Sequence, residues 1–264
     1  MTRLVGDGPL GTRLRRRRMR AAVDSVPYWH HSIDLGGGLV SPGAKSADYL
    51  ARELDRLHLP DLRGKRVLDV GAWDGFYAFE AERRGAREVV AVDSVMWNVD
   101  MRALAPPERR DRYGDPCPGR RGFEIAHEAL GSSVEPVVME VDEIDPERIG
   151  TFDVVLFLGV VYHLRNPLQG LERVTAVTDE LLVVESHLNW FPGAEERAMC
   201  EFYETTELLG DPTNWWGPNA AALVALMRAA GCARAEIVGT DEHPDPAVHA
   251  LQHYRGVAHG HKRG

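Results

Sequence analysis

The chain lacks the segments that mark membrane-spanning and secreted proteins. No apolar run approaches the roughly 20 residues that a helix needs to cross a bilayer. The N-terminus is rich in arginine, but it has neither the apolar core nor the small-residue cleavage site of a secretory signal. We therefore expect a cytoplasmic protein that has no membrane partner.

Cysteine is scarce among the 264 residues, and its three positions are Cys117, Cys200 and Cys232. Because the three are far apart, form no CxxC pair and are odd in number, the sequence predicts neither a disulfide framework nor a zinc site. Carboxylate and histidine residues show no metal-ligand spacing either, so we expect no bound metal.

The chain has fewer basic than acidic residues, and its formal net charge is -9. A surface of this kind has poor non-specific affinity for nucleic acid. The first 20 residues are the exception, with the arginines Arg13, Arg15, Arg16, Arg17, Arg18 and Arg20. Two interpretations of this basic arm stay open: it contacts phosphates or an acidic partner, or it is a solvated, frayed terminus.

Length and composition favour one large α/β domain. A chain of 264 residues with 44% hydrophobic content is long enough for one domain with an added cap, but too short for two domains and a linker. We predict a basic N-terminal arm over residues 1–26 and a cap segment with a helix over residues 27–60. The main domain then covers residues 61–264, with insertions at about 97–131 and 189–217.

Within the main domain, short apolar strands alternate with helices. Apolar runs predict seven strands, at residues 66–70, 88–93, 134–140, 152–159, 180–186, 233–239 and within 247–258. Helices are predicted at about 46–58, between Gly75 and Gly85, at 166–177 and at 218–231. This alternation predicts an α/β fold with a doubly wound, mostly parallel seven-stranded sheet and right-handed crossovers.

The turn after the first strand indicates a cofactor site, because ligands of open α/β sheets bind beyond the carboxyl ends of strands. In the stretch VLDVGAWDG, Gly71 and Gly75 permit a tight turn and a close backbone approach. Trp73 stands where dinucleotide enzymes have a second glycine, which disfavours a pyrophosphate and a nicotinamide oxidoreductase. A sulfonium cofactor has no phosphate, and it needs acceptors for an amino group, which Asp69 and Asp74 offer.

Acidic residues follow the next two strands as well. Asp93 ends the second strand, where a carboxylate can accept both ribose hydroxyl protons, and Asp142 follows the third, placed for an adenine amino group. The alternative is that these acids are helix caps and solvating groups, but that leaves their recurrence at one sheet edge unexplained. The predicted cofactor site comprises Asp69, Gly71, Ala72, Trp73, Gly75, Asp93, Ser94, Asp142, Glu143 and Gly159.

Two segments carry a family resemblance. The stretch VLDVGAWDGFYAFEAERRGAREVVAVD resembles motifs I and II of class I methyltransferases, which have a Rossmann-like fold. LFLGVVYHLRNPLQGLE and NWWGPN resemble, more narrowly, the tRNA wobble-uridine carboxymethyltransferases and their methyltransferase-like relatives. The resemblance covers roughly residues 28–258. It implies S-adenosylmethionine as the cofactor, with carboxy-S-adenosylmethionine as the alternative.

The same resemblance bears on which group is transferred. In the carboxymethyl-transferring members, a Lys, a Tyr and an Arg hold the extra carboxylate of the cofactor. Tyr162 and Arg255 match the Tyr and the Arg, but the Lys has no counterpart, since Lys45 lies too far along the cap segment. A buried carboxylate that lacks one of its three partners is costly. We therefore expect plain S-adenosylmethionine and methyl transfer.

The acceptor side is predicted from segments that border the expected cleft. Methyl transfer to a hydroxyl benefits from a base; we predict His31 or His163 for this role, with Tyr162 orienting the acceptor. Each histidine could instead be a structural hydrogen-bonding group, and each tryptophan a core residue. The predicted acceptor contacts are Trp29, His30, Arg165, His187, Trp215, Trp216 and Arg255.

Methylation of a hydroxyl on a small molecule, such as a natural product or a sugar, is the favoured function. The first alternative is methyl or carboxymethyl transfer to the modified wobble uridine of tRNA, a nucleic-acid partner that would use the basic arm. The second is a non-catalytic sulfonium-binding subunit. The intact set of Asp69, Gly71, Gly75 and Asp93 argues against that second alternative.

Overall fold

Seven strands form one sheet in the computed structural model, which describes residues 9–94, 97, 119–241 and 250–262. The strands are β1 (Arg66–Val70), β2 (Glu88–Asp93), β3 (Glu135–Val138), β4 (Phe152–Leu158), β5 (Thr178–Trp190), β8 (Arg234–Thr240) and β9 (Gln252–His261). A separate two-stranded ribbon joins β6 (Cys200–Phe202) to β7 (Trp216–Pro218).

The strand order is β3-β2-β1-β4-β5-β9-β8. β1 to β5 pair in parallel, whereas β9 runs antiparallel to both β5 and β8. The predicted doubly wound, mostly parallel α/β sheet is confirmed. The central strands β1 and β4 are almost continuously apolar because helices cover both of their faces.

Helices lie on both faces of the sheet. They are α1 (Pro9–Asp24), α2 (Ala47–Arg56), α3 (Phe76–Arg83), α4 (Arg121–Leu130), α5 (Pro146–Ile149), α6 (Pro167–Ala176) and α7 (Ala220–Ala229). The side chains of Ser46, Asp145, Asn166 and Asn219 cap the backbone N–H groups at the starts of α2, α5, α6 and α7. α1 to α4 share one apolar core with the cap segment, and α6 and α7 share the other.

The structure differs from the sequence predictions at several elements. Arm residues from Pro9 onward form α1, and α4 lies where residues 97–131 showed no clean element. β5 continues to Trp190 and β9 to His261, both beyond their predicted ends, because each pairs with the other. The predicted irregular insertion at 189–217 contains β6 and β7. Cys117, the side chain of Arg13 and most of the insertion at 97–131 lie outside the described residues.

Two features of the topology position the site. β1 has β2 on one side and β4 on the other, so the chain switches direction at its carboxyl end. Glu185 of β5 pairs with Leu158, the last residue of β4, and β5 then runs on beside β9. This β5–β9 extension forms a wall beyond the carboxyl edge of the sheet. Across the described residues, no helix is both long and apolar enough to span a membrane.

Candidate active site

The turn after β1 brings the chain against the end of β4. Gly71 has a φ of +81°, and a Cβ at this position would lie 2.4 Å from Cγ2 of Val160. Trp73 also adopts a left-handed φ, of +50°, and Gly75 precedes α3 with a φ of +87°. The N–H groups of Gly71 and Ala72 both bond the carbonyl of Val92 in β2. The turn is therefore fixed at the edge where β1, β2 and β4 end.

Asp93 lies at the carboxyl end of β2 and faces this turn. Its two carboxylate oxygens accept the backbone N–H groups of Trp73, at 2.7 Å, and Ser94, at 2.8 Å. Burial raises the pKa of Asp93 to about 6, while those two hydrogen bonds oppose the rise. The Ser94 side chain bonds the carboxylate as well; because a carboxylate has about four acceptor sites, Asp93 is oriented but still has acceptor capacity.

Asp69 lies one strand away and is buried, with 1% of its surface exposed. Its Oδ2 atom has no hydrogen-bond partner within the described part of the chain. Burial raises the pKa of Asp69 to about 7, and the nearby charge of Asp93 adds to the rise. A buried polar atom without a partner is unfavourable, so this oxygen offers a place for a donor from a ligand.

The residues predicted after β3 differ from these two acids. Asp142 and Glu143 form a short 3-10 turn, Val141–Glu143, and both are exposed. The side chain of Glu143 accepts the N–H of Glu140 at 3.1 Å and pairs with Arg148. Both carboxylates of this turn therefore lie at the surface, unlike Asp69.

The cap segment is tied to the β1 turn by Asp74. One carboxylate oxygen accepts the backbone N–H groups of His30 and His31, at 2.8 and 2.9 Å, and the other bonds Nδ1 of His31. Asp74 therefore anchors the cap, whereas the sequence suggested it as an acceptor for a ligand. His31 is 4% exposed, and its ring stacks on Phe76. Trp29 is also buried, and its indole N–H bonds the carbonyl of Val23 at 3.2 Å.

A buried ion pair occupies the start of the β5–β9 extension. Glu185 is 3% exposed and accepts both Nε and Nη2 of Arg255, at 2.5 and 2.6 Å. Nη2 also donates to the hydroxyl of Tyr162, at 3.2 Å. Burial by itself would raise the pKa of Glu185, but Arg255 holds it below its ordinary value. A Cβ on Gly159 would contact all three side chains, so this glycine allows the chain to pass close to them.

Three histidines border the same space, and all three are neutral near pH 7. Burial lowers the pKa of His30 to about 2, with further contributions from His31, Lys45, Arg255 and His163. Burial likewise lowers the pKa of His187, to about 4. For His163 burial lowers the pKa and the charge of Asp211 opposes it. Tyr162 links two of these histidines to the ion pair: its ring centroid lies 4.3 Å from that of His163 and 6.3 Å from that of His187, and its hydroxyl contacts Arg255.

His187 belongs to a buried hydrogen-bond network that joins β5, β6 and β9. Its Nε2 lies 2.7 Å from Oδ1 of Asn189, and Asn189 Nδ2 donates to Glu201 at 2.7 Å. The Tyr203 hydroxyl and Nδ1 of His253 complete the network around Asn189. This network fastens the inserted ribbon to the β5–β9 extension.

The inserted ribbon brings the predicted tryptophans next to Tyr162. The guanidinium of Arg165 lies 4.7 Å from the ring centroid of Trp215, and the indole N–H of Trp216 bonds the carbonyl of Arg165 at 3.3 Å. An apolar cavity of about 210 Å³ adjoins the ribbon, and its lining includes Tyr162, Trp216 and Leu226. Trp215 is held by Arg165 and is not part of this lining.

Comparison with known proteins identifies the family. A model of the methyltransferase domain matches residues 44–237, which is well over half of the chain. The chain belongs to the methyltransferase family.

Within this family, the chain is similar to proteins named tRNA U34 carboxymethyltransferase. One from Pseudomonas aeruginosa is 32% identical over 185 residues, which cover 67% of this chain and 48% of the relative. Another, from Azotobacter vinelandii, is 26% identical over 252 residues, covering 92% of this chain and 66% of the relative. The chain thus spans about half the length of the first of these relatives.

The fold is shared with solved structures at lower identity. The N-terminal domain of EvdMO1, crystallised in the presence of SAH and D-fucose, aligns with a TM-score of 0.64 and 20% identity. The alignment covers 94% of this chain and 97% of that domain. At this identity the likeness confirms the class I methyltransferase fold that was expected from motifs I and II.

Several polar groups that border the cleft were not predicted from the sequence. Glu185, which pairs with Arg255, was read only as part of an apolar strand. Thr213, which contacts His163, and Asp211, which accepts from Thr213, lie in the predicted irregular insertion just before NWWGPN. A charged residue inside an apolar strand was the available signal for Glu185. Among the described residues, no group of three or more His, Cys, Asp and Glu side chains is arranged to hold a metal ion.

Proposed function

We propose that the chain is an S-adenosylmethionine-dependent methyltransferase that methylates a hydroxyl group of a small molecule. The observation that carries the proposal is the position of two carboxylates, the buried Asp69 and the half-buried Asp93, beside the glycine turn at the carboxyl ends of β1 and β2. Membership of the methyltransferase family supports it. The presence of SAH in crystals of a protein with the same fold supports it as well.

The residues at this edge fit such a cofactor. Oδ2 of Asp69 lacks a partner and would accept from the amino group, while Asp93 would accept from the ribose hydroxyls. When bound, the cofactor supplies a methyl group bonded to a positively charged sulfur. The remaining residues proposed to surround it are Gly71, Ala72, Trp73, Gly75, Ser94, Asp142, Glu143 and Gly159. The cap over residues 27–60 is part of the proposal, because Asp74 ties it to this turn.

The pairing of Arg255 with Glu185 favours transfer of a methyl group over transfer of a carboxymethyl group. Two of the N–H donors of Arg255 already bond Glu185, and a third bonds Tyr162. Lys45, the other cation near the cleft, is paired with Glu53 at 2.9 Å. An added cofactor carboxylate beside Glu185 would bury a second negative charge opposite one guanidinium. Such an uncompensated buried charge is costly.

An uncharged acceptor is favoured by the electrostatics of the cleft. His30 and His187 are neutral near pH 7, because burial lowers their pKa values to about 2 and about 4. The charge of Arg255 is balanced by Glu185. With Arg255 paired and the histidines neutral, the cleft suits a neutral polar molecule better than a polyanion, whose phosphates require several unpaired cations. Trp215, Trp216 and Arg165 are proposed to contact this acceptor.

His163 is proposed as the base that accepts the hydroxyl proton. It lies in the short 3-10 turn after β4, and its ring centroid is 4.3 Å from that of Tyr162. Burial keeps it neutral. His31, the other candidate from the sequence, is less suited, because its Nδ1 bonds Asp74 and its ring is enclosed by Phe76 and Tyr77. Tyr162 is proposed to orient the acceptor.

The second candidate function is transfer to the wobble uridine of tRNA. The relatives that carry that name favour it, and so does α1, on which Arg15, Arg16, Arg17, Arg18 and Arg20 are exposed. On this alternative, α1 would bind the phosphate backbone beside the catalytic domain. Carboxy-S-adenosylmethionine would be its cofactor if a carboxymethyl group is transferred.

A competition measured by calorimetry tests the cofactor. We expect S-adenosylmethionine to bind more tightly than carboxy-S-adenosylmethionine. Preference for the carboxylated molecule would contradict the role given to the Glu185–Arg255 pair and would favour tRNA. Turnover is then tested with a panel of hydroxylated small molecules and with total tRNA. Cofactor binding without product from any acceptor would favour the non-catalytic subunit.

A further inference from the structure

We propose that Thr213 and Asp211, in the segment inserted between β6 and β7, are positioning residues that hold His163 with its proton on Nδ1 and leave Nε2 open to the acceptor hydroxyl. The inference rests on the proposed function, in which His163 is the base. It adds two residues that precede the NWWGPN stretch and belong to none of the segments that carry the family resemblance. It also gives that inserted segment a chemical role.

The contacts of Nδ1 determine where the proton of His163 lies. Nδ1 is 3.3 Å from the backbone carbonyl oxygen of Thr213 and 3.0 Å from its hydroxyl Oγ1. A carbonyl oxygen can only accept a hydrogen bond. The contact with this carbonyl therefore requires a hydrogen on Nδ1.

The hydroxyl contact leads to the same assignment. Oγ1 of Thr213 donates its single proton to Oδ1 of Asp211, at 2.7 Å, since a carboxylate oxygen accepts. The same Oδ1 accepts the backbone N–H of Thr213, at 2.8 Å. Because its own proton is committed to Asp211, Oγ1 can only accept from Nδ1 of His163. Asp211, Thr213 and His163 thus form a hydrogen-bond chain with one direction.

The opposite ring nitrogen is then the basic one. With the proton on Nδ1, a neutral imidazole carries its lone pair on Nε2. No described residue bonds Nε2. The ring packs against Tyr162, whose hydroxyl contacts Arg255. Nε2 is therefore the atom of His163 available to a bound acceptor.

The inserted segment is also fastened to the turn that carries the histidine. The backbone N–H of Trp215, two residues after Thr213, donates to the carbonyl of Tyr162 at 2.9 Å. This backbone hydrogen bond therefore holds the two segments together next to the contact between Thr213 and His163. This is the arrangement expected when a third group orients a base.

The chemistry assigned to this chain of contacts is balanced within the proposed reaction. The acceptor oxygen forms a bond to the methyl carbon, and the carbon–sulfur bond breaks with its electron pair remaining on sulfur. The hydroxyl proton moves to Nε2 of His163. The imidazolium that results keeps its Nδ1–H bond to Thr213, and Asp211 stabilises the positive charge through the threonine hydroxyl.

Long-range ¹H–¹⁵N NMR on protein with ¹⁵N-labelled histidine reports the tautomer directly, with His163→Gln used to assign the signal. We expect His163 to be Nδ1-protonated in the unchanged protein and in Thr213→Ser. Thr213→Val keeps the longer contact of Nδ1 with the backbone carbonyl, at 3.3 Å, but removes the hydroxyl contact at 3.0 Å, so we expect a mixture of the two neutral tautomers in place of the single Nδ1–H form. Thr151→Val is the matched control, because Thr151 donates to Asp179 in the same way at the opposite end of the sheet. It should leave His163 unchanged.

Two results would overturn the inference: an Nε2-protonated His163 in the unchanged protein, or the same tautomer in Thr213→Val as in the unchanged protein. The other histidine signals report whether each variant is folded. With a hydroxyl acceptor from the panel, Thr213→Val should lower kcat by part of the about 10²–10⁴-fold that a general base contributes, with KM little changed. Thr213→Ser should restore kcat, which a merely structural role would not predict.

The tautomer measurement uses neither cofactor nor acceptor. Failure of the inference is therefore seen in the NMR spectrum, whereas failure of the proposed function is seen in the calorimetry and in the acceptor panel.

Discussion

At the scale of single residues, the site is built from buried polar side chains whose partners are fixed. Asp93 is oriented by two backbone N–H groups, and Glu185 is matched to Arg255. Asp69 is the exception, since Oδ2 lacks a partner within the described chain. Asp69 is therefore the acid with an unsatisfied oxygen, Asp93 is oriented by the backbone, and the charges of Glu185 and Arg255 satisfy each other.

Replacing Asp93 by Ala should weaken the binding of S-adenosylmethionine. Removing the carboxylate leaves ribose hydroxyls without acceptors, at a cost of about 1–3 kcal/mol. Calorimetry on Asp93→Ala measures this loss, and Asp179→Ala, at the opposite end of the sheet, is the control. Unchanged affinity in Asp93→Ala would contradict the assignment of Asp93 to the ribose.

Asp69 should make the stability of the unliganded protein depend on pH. Its folded pKa of about 7 lies above the ordinary 3.8, so the folded state binds the proton more tightly than the unfolded chain. Stability from this group is present at low pH and is lost as pH rises between about 4 and about 7, by up to about 1.4 kcal/mol per pH unit. In Asp69→Asn, chemical denaturation across this window should show a flatter profile. Parallel profiles for both proteins would contradict the raised pKa.

The Glu185–Arg255 pair should behave as one unit. Removing one partner leaves a buried charge unpaired, so Glu185→Gln and Arg255→Met should each destabilise the fold by about 3–5 kcal/mol. The double variant should lose less than the sum of the two single changes. Chemical denaturation of all four proteins measures this coupling. Additive losses would mean that the two side chains do not depend on each other.

At the scale of elements, the turn after β1 is set by close backbone approach. Gly71 has a positive φ and lies against Val160, while Gly64 has a similar φ of +72° with open space around it. Comparing these two glycines therefore distinguishes the need for a positive φ from the need for a close approach to a neighbouring side chain. If close approach to Val160 fixes the turn, a side chain at position 71 should also disturb the proposed cofactor site.

Gly71→Ala should be more damaging than Gly64→Ala. Both changes impose the left-handed strain of about 1–2 kcal/mol, but Gly71→Ala adds overpacking against Val160 of about 1–3 kcal/mol. Denaturation midpoints measure the difference, and calorimetry should show weaker binding of S-adenosylmethionine for Gly71→Ala alone. Equal losses in the two variants would show that contact with Val160 does not determine this turn.

At the scale of the whole molecule, charge is unevenly distributed. The formal net charge of the chain is -9, yet α1 exposes a cluster of arginines. The cleft itself is balanced, because Arg255 is paired and the neighbouring histidines are neutral. Affinity for a polyanion, if present, therefore belongs to α1 and is separate from the chemistry of the cleft.

Neutralising α1 should separate the two candidate functions. Replacing Arg15, Arg17, Arg18 and Arg20 by Gln should leave methylation of a small molecule unchanged. Any tRNA binding should weaken, and its salt slope should fall by about 0.9 for each lost phosphate contact. Gel-shift assays at two salt concentrations, run beside the turnover assay, measure both effects. Loss of turnover on the small molecule would contradict the separation of α1 from the cleft.

The amino-acid sequence by itself determined the central strands and the turn of the cofactor site. Residues 66–70 and 88–93 are strands in the structure with the predicted bounds, because a strand buried on both faces is a short apolar run. The places of Gly71 and Gly75 in the turn and of Asp93 at the strand end were predicted for a similar local reason, whereas Asp74 anchors the cap. A turn and a strand end are defined by neighbouring residues.

Only the tertiary structure decided the partners of the polar groups. His31 and Asp74 are 43 residues apart, Arg255 and Glu185 are 70 apart, and His163 and Thr213 are 50 apart. Each pair is set by the packing of the cap, by the register of β9 on β5 or by the position of the inserted segment. The sequence did not predict α4, because the apolar face of this helix is recognised only from the segments that pack against it. Contacts of this kind depend on the arrangement of distant segments, which no local pattern of residues specifies.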